Sequence, residues 1–405
     1  MSWEYKTLDQ LGEVSRGRSK HRPRNDPSLF GGEYPFIQTA DVKAANFYIT
    51  EYDTTYNEKG LAQSKLWHPG TLCITIAANI ADTGILAMDA CFPDSVMGFL
   101  PYEGVADVRF VKYCFDILQQ NCKKISQGAA QDNLSWEKLS TILFPAPPIE
   151  VQQRIADMLS VYDDLIENNQ KQIKLLEEAA QRLYKEWFVD LRFPGHETTP
   201  ITDGIPEGWQ YSPLSEVFDF VRGKSYTSKE LSDTVGVLMA NLKNIRAFGG
   251  YKRNAEKRFT GQFKENQTLA AGDVVMGVTD MTQERRLVGH VALVPDMGEA
   301  MTFSMDLIKI IPKLTDKLFV YSALYYGGLS KQISPLANGV NVLHLKPEAM
   351  MGIEMLIPHD AIVRAYHERI SPIIVRIEAL QKQCDIAAEA RDRLLPKLMN
   401  GKIEV

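Results

Sequence analysis

The chain has 405 residues, a formal net charge of -6 and 45% hydrophobic residues, more sequence than one hydrophobic core organises and too apolar for disorder, so two or three domains are expected. Five scattered cysteines without a CxxC pair exclude a disulfide framework and a zinc knuckle, leaving buried thiols as the expectation. No uncharged apolar run reaches the roughly 18 residues of a membrane span and the start MSWEYKTLDQ lacks a signal-peptide stretch, so a cytoplasmic protein without a membrane partner is expected.

Residues 1–146 read as a first globule of short β-type runs punctuated by glycine. Within it RGRSKHRPR carries Arg16, Arg18, Lys20, Arg22 and Arg24 with His21 and no acid. Such a density points to phosphates, because each Lys or Arg that pairs with one releases condensed counterions, and an arginine fork also fits guanine O6 and N7. Residues 147–190 form a helix on apolar spacing of alternate four and three: Ile155, Leu159, Tyr162, Ile166, Asn169, Ile173, Leu176, Ala180, Leu183 and Trp187 trace the seam of a heptad repeat. Asp163, Asp164, Glu167, Lys171, Glu177, Glu178 and Lys185 are then outward-facing, either a partner-binding surface or solvated flanks. The breaks in WFVDLRFPGHETTPITDGIPEGW make 191–208 a linker, with its aromatic residues packed rather than left in water.

A second globule, 209–357, carries Lys243, Arg246, Lys252, Arg253, Lys257, Arg258 and Lys264 interleaved with Phe248, Tyr251, Phe259 and Phe263, and Arg285 and Arg286 in a further loop. A second helix, 358–403, has its seam at Tyr366, Ile370, Ile373, Ile377, Leu380, Cys384, Ala387, Arg391, Leu394 and Leu398. Pro372 is expected to kink or delay it, since proline lacks the N–H and crowds the preceding turn.

The two halves repeat. Trp3, Tyr5, Leu8, Arg16, Gly17 and Ser19 align with Trp209, Tyr211, Leu214, Arg222, Gly223 and Ser225, and the later pairs Gly128/Gly339, Leu134/Leu345, Ile142/Ile353 and Pro147/Pro358 keep the order after a small loop insertion. Arg222 and Lys224 thereby join the basic candidates, each glycine marking a turn where backbone N–H groups could approach a phosphate. The order globule, helix, globule, helix lets the second stripe meet the first only by running back. The expected fold class is therefore α+β: two similar mixed α/β globules separated by two long helices in an antiparallel coiled coil about 50 Å long, related by a pseudo-two-fold axis. The alternative is that each stripe packs on its own globule.

Catalytic motifs are missing. Gly223-Lys224-Ser225 lacks the first glycine of a phosphate loop, no GxGxxG follows a strand, no base-methylating Asn/Asp-Pro-Pro-aromatic tetrapeptide occurs, and the seven histidines form no metal spacing. No catalytic or metal residue is assigned, and a non-catalytic binding protein is expected.

The phrases PPIEVQQRIADMLSVYDDLIENNQKQIKLLEEAAQRLYKEWFVDLRFPGHE, DACFPDSVMGF and SQGAAQDNLSWEKLSTILFPAPP resemble the specificity (S) subunits of type I restriction-modification systems, the HsdS family, with Val151 where that family usually has Glu and Val363 where Gln is usual. The resemblance implies a non-catalytic reader of double-stranded DNA. Each globule would be a target recognition domain for one half of a bipartite asymmetric site, and the helices would set the gap and dock two methyltransferase subunits, which endonuclease/translocase subunits join. S-adenosylmethionine, ATP and magnesium would then belong to partner subunits, not to this chain. A two-headed coiled-coil scaffold for protein partners, without DNA readout, is the alternative; a half-size reader is disfavoured because both halves are fused here.

Overall fold

The computed structural model describes residues 3–76, 82–125 and 136–403; Gly128 and Leu134 of the repeat lie outside them. The chain divides into two compact units, residues 1–171 with 381–405, and residues 172–380, so both long helices contribute to both.

In the first unit the central sheet runs in the spatial order Gly12–Arg16, Val96–Pro101, Leu72–Thr75, Thr83–Leu86, Tyr48–Ile49, antiparallel except for the last pair. In the second it runs Phe218–Arg222, Leu307–Pro312, Val274–Gly277, Val291–Leu293, antiparallel throughout. The same order arises twice because corresponding apolar runs of the repeat build it. Leu72–Thr75 and Val274–Gly277 are buried along their whole length, as apolar runs opened by Gly70 and Gly272 should be when both faces of a strand are covered. A two-stranded closure also recurs: Glu4–Lys6 pairs with Phe144–Ala146, and Gln210–Pro213 with Glu354–Ile357. The second unit adds a five-stranded sheet, Leu231–Ser232, Lys257–Phe259, Val237–Ala240, Met301–Phe303, Thr268–Leu269.

The shared Gly17 and Gly223 have a different purpose from the one expected. Their N–H groups donate to Val96 O and Leu307 O, and the next residues, Arg18 and Lys224, donate to Phe92 O and Phe303 O. A Cβ at Gly17 would lie 2.3 Å from Pro93 O, and one at Gly223 2.0 Å from Ser304 O. These donors are spent on a close crossing of two chain segments, so they are not a phosphate cradle.

The long helices span Ile149–Phe188 and Asp360–Met399. In the first unit Asp163 meets Arg391, Ile166 O accepts from Cys384 Sγ and Asn169 Nδ2 donates to Gln383. In the second unit Gln172 meets Arg376 and Phe188 packs on Tyr366 at 4.9 Å. Rising number on one helix meets falling number on the other, so the pairing is antiparallel in each unit. Of the seam, Ile155, Leu159, Ile166, Ile173, Ile370, Ile377, Leu380 and Leu398 are buried and Leu176, Leu183 and Leu394 half-buried. The two expected packings coexist. Ile155, Leu159, Leu394 and Leu398 belong to the first globule's core, Leu183 and Ile370 to the second's, and Ile173, Leu176, Ile377 and Leu380 form a cluster of their own.

Pro372 does not delay the second helix, which begins twelve residues earlier. Pro372 is exposed, and so is Glu368, whose carbonyl loses its helical donor on the solvent side of the helix, while Ile370 stays buried. In the segment between helix and second globule, the Phe193 and Trp209 rings pack at a tilt 4.7 Å apart and join the second unit's core with Trp187 and Phe188, while Ile201–Thr202 and Ile205–Pro206 make a small hairpin. Cys73, Cys91 and Cys114 are buried thiols, Cys384 is half-buried, and the Cys122 side chain lies outside the described residues. Among the described residues no helix is long and apolar enough to cross a membrane.

Candidate nucleic-acid interface

The basic residues of the first unit follow the edge strand Gly12–Arg16. Arg16, Arg18, Lys20, Arg22 and Arg24 are all exposed. The segment is tied down at two places: His21 Nε2 lies 2.7 Å from Asp26, and Arg24 donates to Asp94 at 2.7 Å with Arg22 at 4.0 Å. Hydrogen bonds from Ser28 and the His21 contact hold the Asp26 carboxyl down at about 2. Arg16, Arg18 and Lys20 have no ion pair among the described residues.

In the second unit the candidates separate into two groups. Arg222 forks onto Glu348 at 2.7 and 2.9 Å, Arg258 forks onto Glu299 at 2.9 and 3.0 Å, Arg286 pairs with Glu284, Lys257 donates to the Tyr226 hydroxyl at 2.5 Å and Arg253 donates to Asp296 O at 3.4 Å. Donors of all five side chains are engaged within the fold, and the three arginines paired with glutamates also have their charge offset. Lys243, Arg246 and Lys252 are exposed and, with Asn254, Lys257 and one acid, Glu256, line an open concavity of about 730 Å³. Lys224 is half-buried.

The wall of that concavity is built by a buried amide pair. Asn241 caps the turn Leu242–Asn244, accepting from Lys243 N, and its own N–H donates to Asn244 Oδ1; Asn244 Nδ2 donates in turn to Lys252 O and to Glu256. In the first unit the corresponding turn has Gln38 and Asp41, with Gln38 N donating to Asp41. The concavity there, about 680 Å³, is lined by Asp41, Glu51, Asp53 and Glu167 with Lys171. Corresponding hollows thus carry opposite charge. Burial pushes the Asp41 and Glu167 carboxyls up from their ordinary values, although Gln38 N–H and Tyr48 N–H oppose the shift. This contrast was readable as acids at 41, 51 and 53 against bases at 243, 246 and 252, but only the fold shows that the positions correspond.

A second loop, 281–288, is organised by Asp280, a residue without a sequence motif beyond the Asx spacing to Thr282. Its buried carboxylate accepts from Thr282 N, Leu287 N and Val288 N and from the Thr282 hydroxyl. Burial raises its pKa, but these donors prevail and hold the carboxyl below its usual range. Arg285 is half-buried and Arg286 exposed on this loop.

On the helices the outward set needs correction. Asp163 is 1% exposed and bound by Arg391 and by the Tyr113 hydroxyl at 2.5 Å. Seam position 391 is arginine, and its guanidinium draws the neighbouring carboxylate inward. Asp164, Lys171 and Lys185 are exposed; Glu167 accepts from Tyr48 N, and Glu177 and Glu178 are half-buried. The heptad reading passed over a more distinctive feature: Met158, Val161 and Leu165, spaced three and four, leave an apolar stripe exposed on the first helix. Counting apolar residues outside the seam would have found it.

A family model described as type I restriction modification DNA specificity domain matches residues 1–178. The chain is 26% identical over 430 residues to the type I restriction enzyme MjaIX specificity subunit of Methanocaldococcus jannaschii, covering 100% of this chain and 94% of that one. In sequence the chain is thus similar to type I restriction-modification specificity subunits along its whole length. Relatedness to the HindI specificity subunit of Haemophilus influenzae is 21% over 469 residues, with 97% and 98% coverage. In fold the chain resembles the type I restriction-modification S subunit from M. genitalium, with a TM-score of 0.58 at 14% identity, covering 98% of this chain and 96% of that one.

Proposed function

We propose that this chain is a type I restriction-modification specificity subunit, a non-catalytic reader of double-stranded DNA in which each globule contacts one half of a bipartite asymmetric site. The observation that carries the reading is the duplicated sheet order with unlike loop chemistry on the two copies. One scaffold built twice supports two contacts of similar geometry, and the opposite charge of corresponding hollows makes the two half-sites different. Arg16, Arg18, Lys20, Lys243, Arg246 and Lys252 would hold phosphates. Arg22, Arg24, Arg222, Lys224, Arg253, Lys257, Arg258, Arg285 and Arg286 are further DNA candidates; those already paired would position loops more than they neutralise phosphate.

The antiparallel helices would set the gap between half-sites and receive two methyltransferase subunits, with Met158, Val161 and Leu165 as the apolar contact and Asp164 and Lys171 beside it. Endonuclease/translocase subunits would join through that complex, and S-adenosylmethionine, ATP and magnesium would be bound by the partners. Co-expression with the methyltransferase subunit of its own operon, followed by mapping of methylated adenines, tests this. A single interrupted, non-palindromic motif is expected; absence of methylation together with no salt-sensitive retention on duplex DNA refutes it.

A further inference from the structure

Three loops of the second unit are joined at their tips. Phe248 N donates to Arg286 O at 2.7 Å, which ties the turn 246–250 to loop 281–288, and Gln283 Nε2 donates to Val340 O at 2.8 Å, which ties that loop to 338–344. Each tip displays an apolar side chain: Phe248 is 57% exposed, Met281 76% and Val340 88%.

The turn that carries Phe248 is over-determined. Phe248, Gly249 and Gly250 have φ of 66°, 115° and 90°. A left-handed conformation is unfavourable for an aromatic residue and persists only where the surroundings enforce it. Here Arg246 N donates to Gly250 O, Gly249 N to Arg246 O and Gly250 N to Val291 O, and a Cβ at Gly249 would meet the Tyr325 ring at 2.6 Å. The Phe248 ring stands edge-on to buried His290 at 5.6 Å. Strain of this kind, applied to hold a large apolar ring in water, has no benefit to the fold, which would accept Asn or Gly more easily. At the corresponding place the first unit has Ala45, so the feature belongs to one globule only.

The surroundings identify the ligand. Arg246 is two residues before Phe248 and Arg286 is joined to it through the backbone, and the concavity lined by Lys243, Arg246 and Lys252 extends to the neighbouring Ala247. An apolar group set among bases that neutralise phosphate is suited to the apolar part of a nucleobase, most simply the thymine methyl group of the major groove. We infer that Phe248 is a specificity-determining residue that reads a base of one half-site by apolar contact, while the lysines and arginines around it hold the backbone. This rests on the DNA-reading function proposed above.

The test uses the full chain and a pool of duplexes of randomised sequence, with retained DNA sequenced and affinity measured across salt concentrations. Phe248→Ala should enrich a motif that has lost preference at one or two adjacent positions of one half-site, with affinity for the wild-type motif lower by about tenfold and the salt slope unchanged. Phe248→Leu should restore part of the preference. Replacing thymine by uracil at the affected position should weaken wild-type binding and leave Phe248→Ala unaffected. Because the ring is exposed, both variants should melt as the wild type does. If Phe248→Ala enriches the wild-type motif with wild-type affinity, or lowers only co-purification with a methyltransferase subunit, the inference fails and the DNA-reading function stands; if the wild-type chain retains no duplex at any salt concentration the inference fails, and if no methylated motif maps either, both fall.

Discussion

Removing the Arg391 guanidinium would leave the Asp163 carboxylate buried with only the Tyr113 hydroxyl as partner among the described residues, and a stranded buried charge costs about 3–5 kcal/mol. Arg391→Ala should therefore lower the denaturation free energy by that order, whereas Arg393→Ala, which breaks an exposed pair with Glu389, should change it by less than about 1 kcal/mol. Equal effects in urea titrations would contradict the assignment. Asp280 makes a prediction in pH. Its folded pKa lies below the usual 3.8, so the stability it contributes is complete above that value and is lost as pH falls through the depressed folded one. Asp280→Asn should weaken the fold by about 1–3 kcal/mol at neutral pH and reduce the difference between the two proteins as acid is added. A difference that stays constant down to pH 2 would show that the carboxylate's charge is unimportant. Neither role was legible beforehand: Asp163 sits beside the seam in the heptad count, and the four donors that meet Asp280 come from a loop whose path no local pattern specifies.

At the level of elements, the helices illustrate how apolar spacing and tertiary environment divide the work. The spacing of four and three fixed which residues are covered, and it did so for both helices. It did not fix what covers them, because a buried leucine has the same spacing whether its neighbour is the facing helix or a β-sheet. Here the ends of each stripe complete the globules, and the Ile173, Leu176, Ile377, Leu380 cluster is held between the helices alone. The exposed Met158, Val161 and Leu165 stripe yields a prediction of its own. Val161→Asp with Leu165→Glu should abolish co-purification with a methyltransferase subunit while shifting the melting temperature little, since both side chains are already in water; retained co-purification would place the docking surface elsewhere.

For the whole molecule, the salt dependence of DNA binding distinguishes committed from available charge. Replacing Lys243, Arg246 and Lys252 together by alanine should reduce the slope of log affinity against log salt by about 2 to 3, close to one for each phosphate that is no longer neutralised. Arg258→Ala should alter it less, because its fork already holds Glu299. The reverse ranking, measured by retention on duplex DNA, would move the interface out of the concavity. The sequence by itself determined the duplication, the antiparallel sense of the helices and the resemblance to specificity subunits, since these depend on periodicity and order, which are properties of the linear chain. Only the tertiary structure decided which charges remain available, that two corresponding hollows differ in sign, and that Phe248 is held outward. Those depend on pairs such as Arg222 with Glu348, Arg258 with Glu299 and Asp163 with Arg391, and an electrostatic or hydrogen-bonded partner acts through distance in space, to which separation along the chain gives no guide.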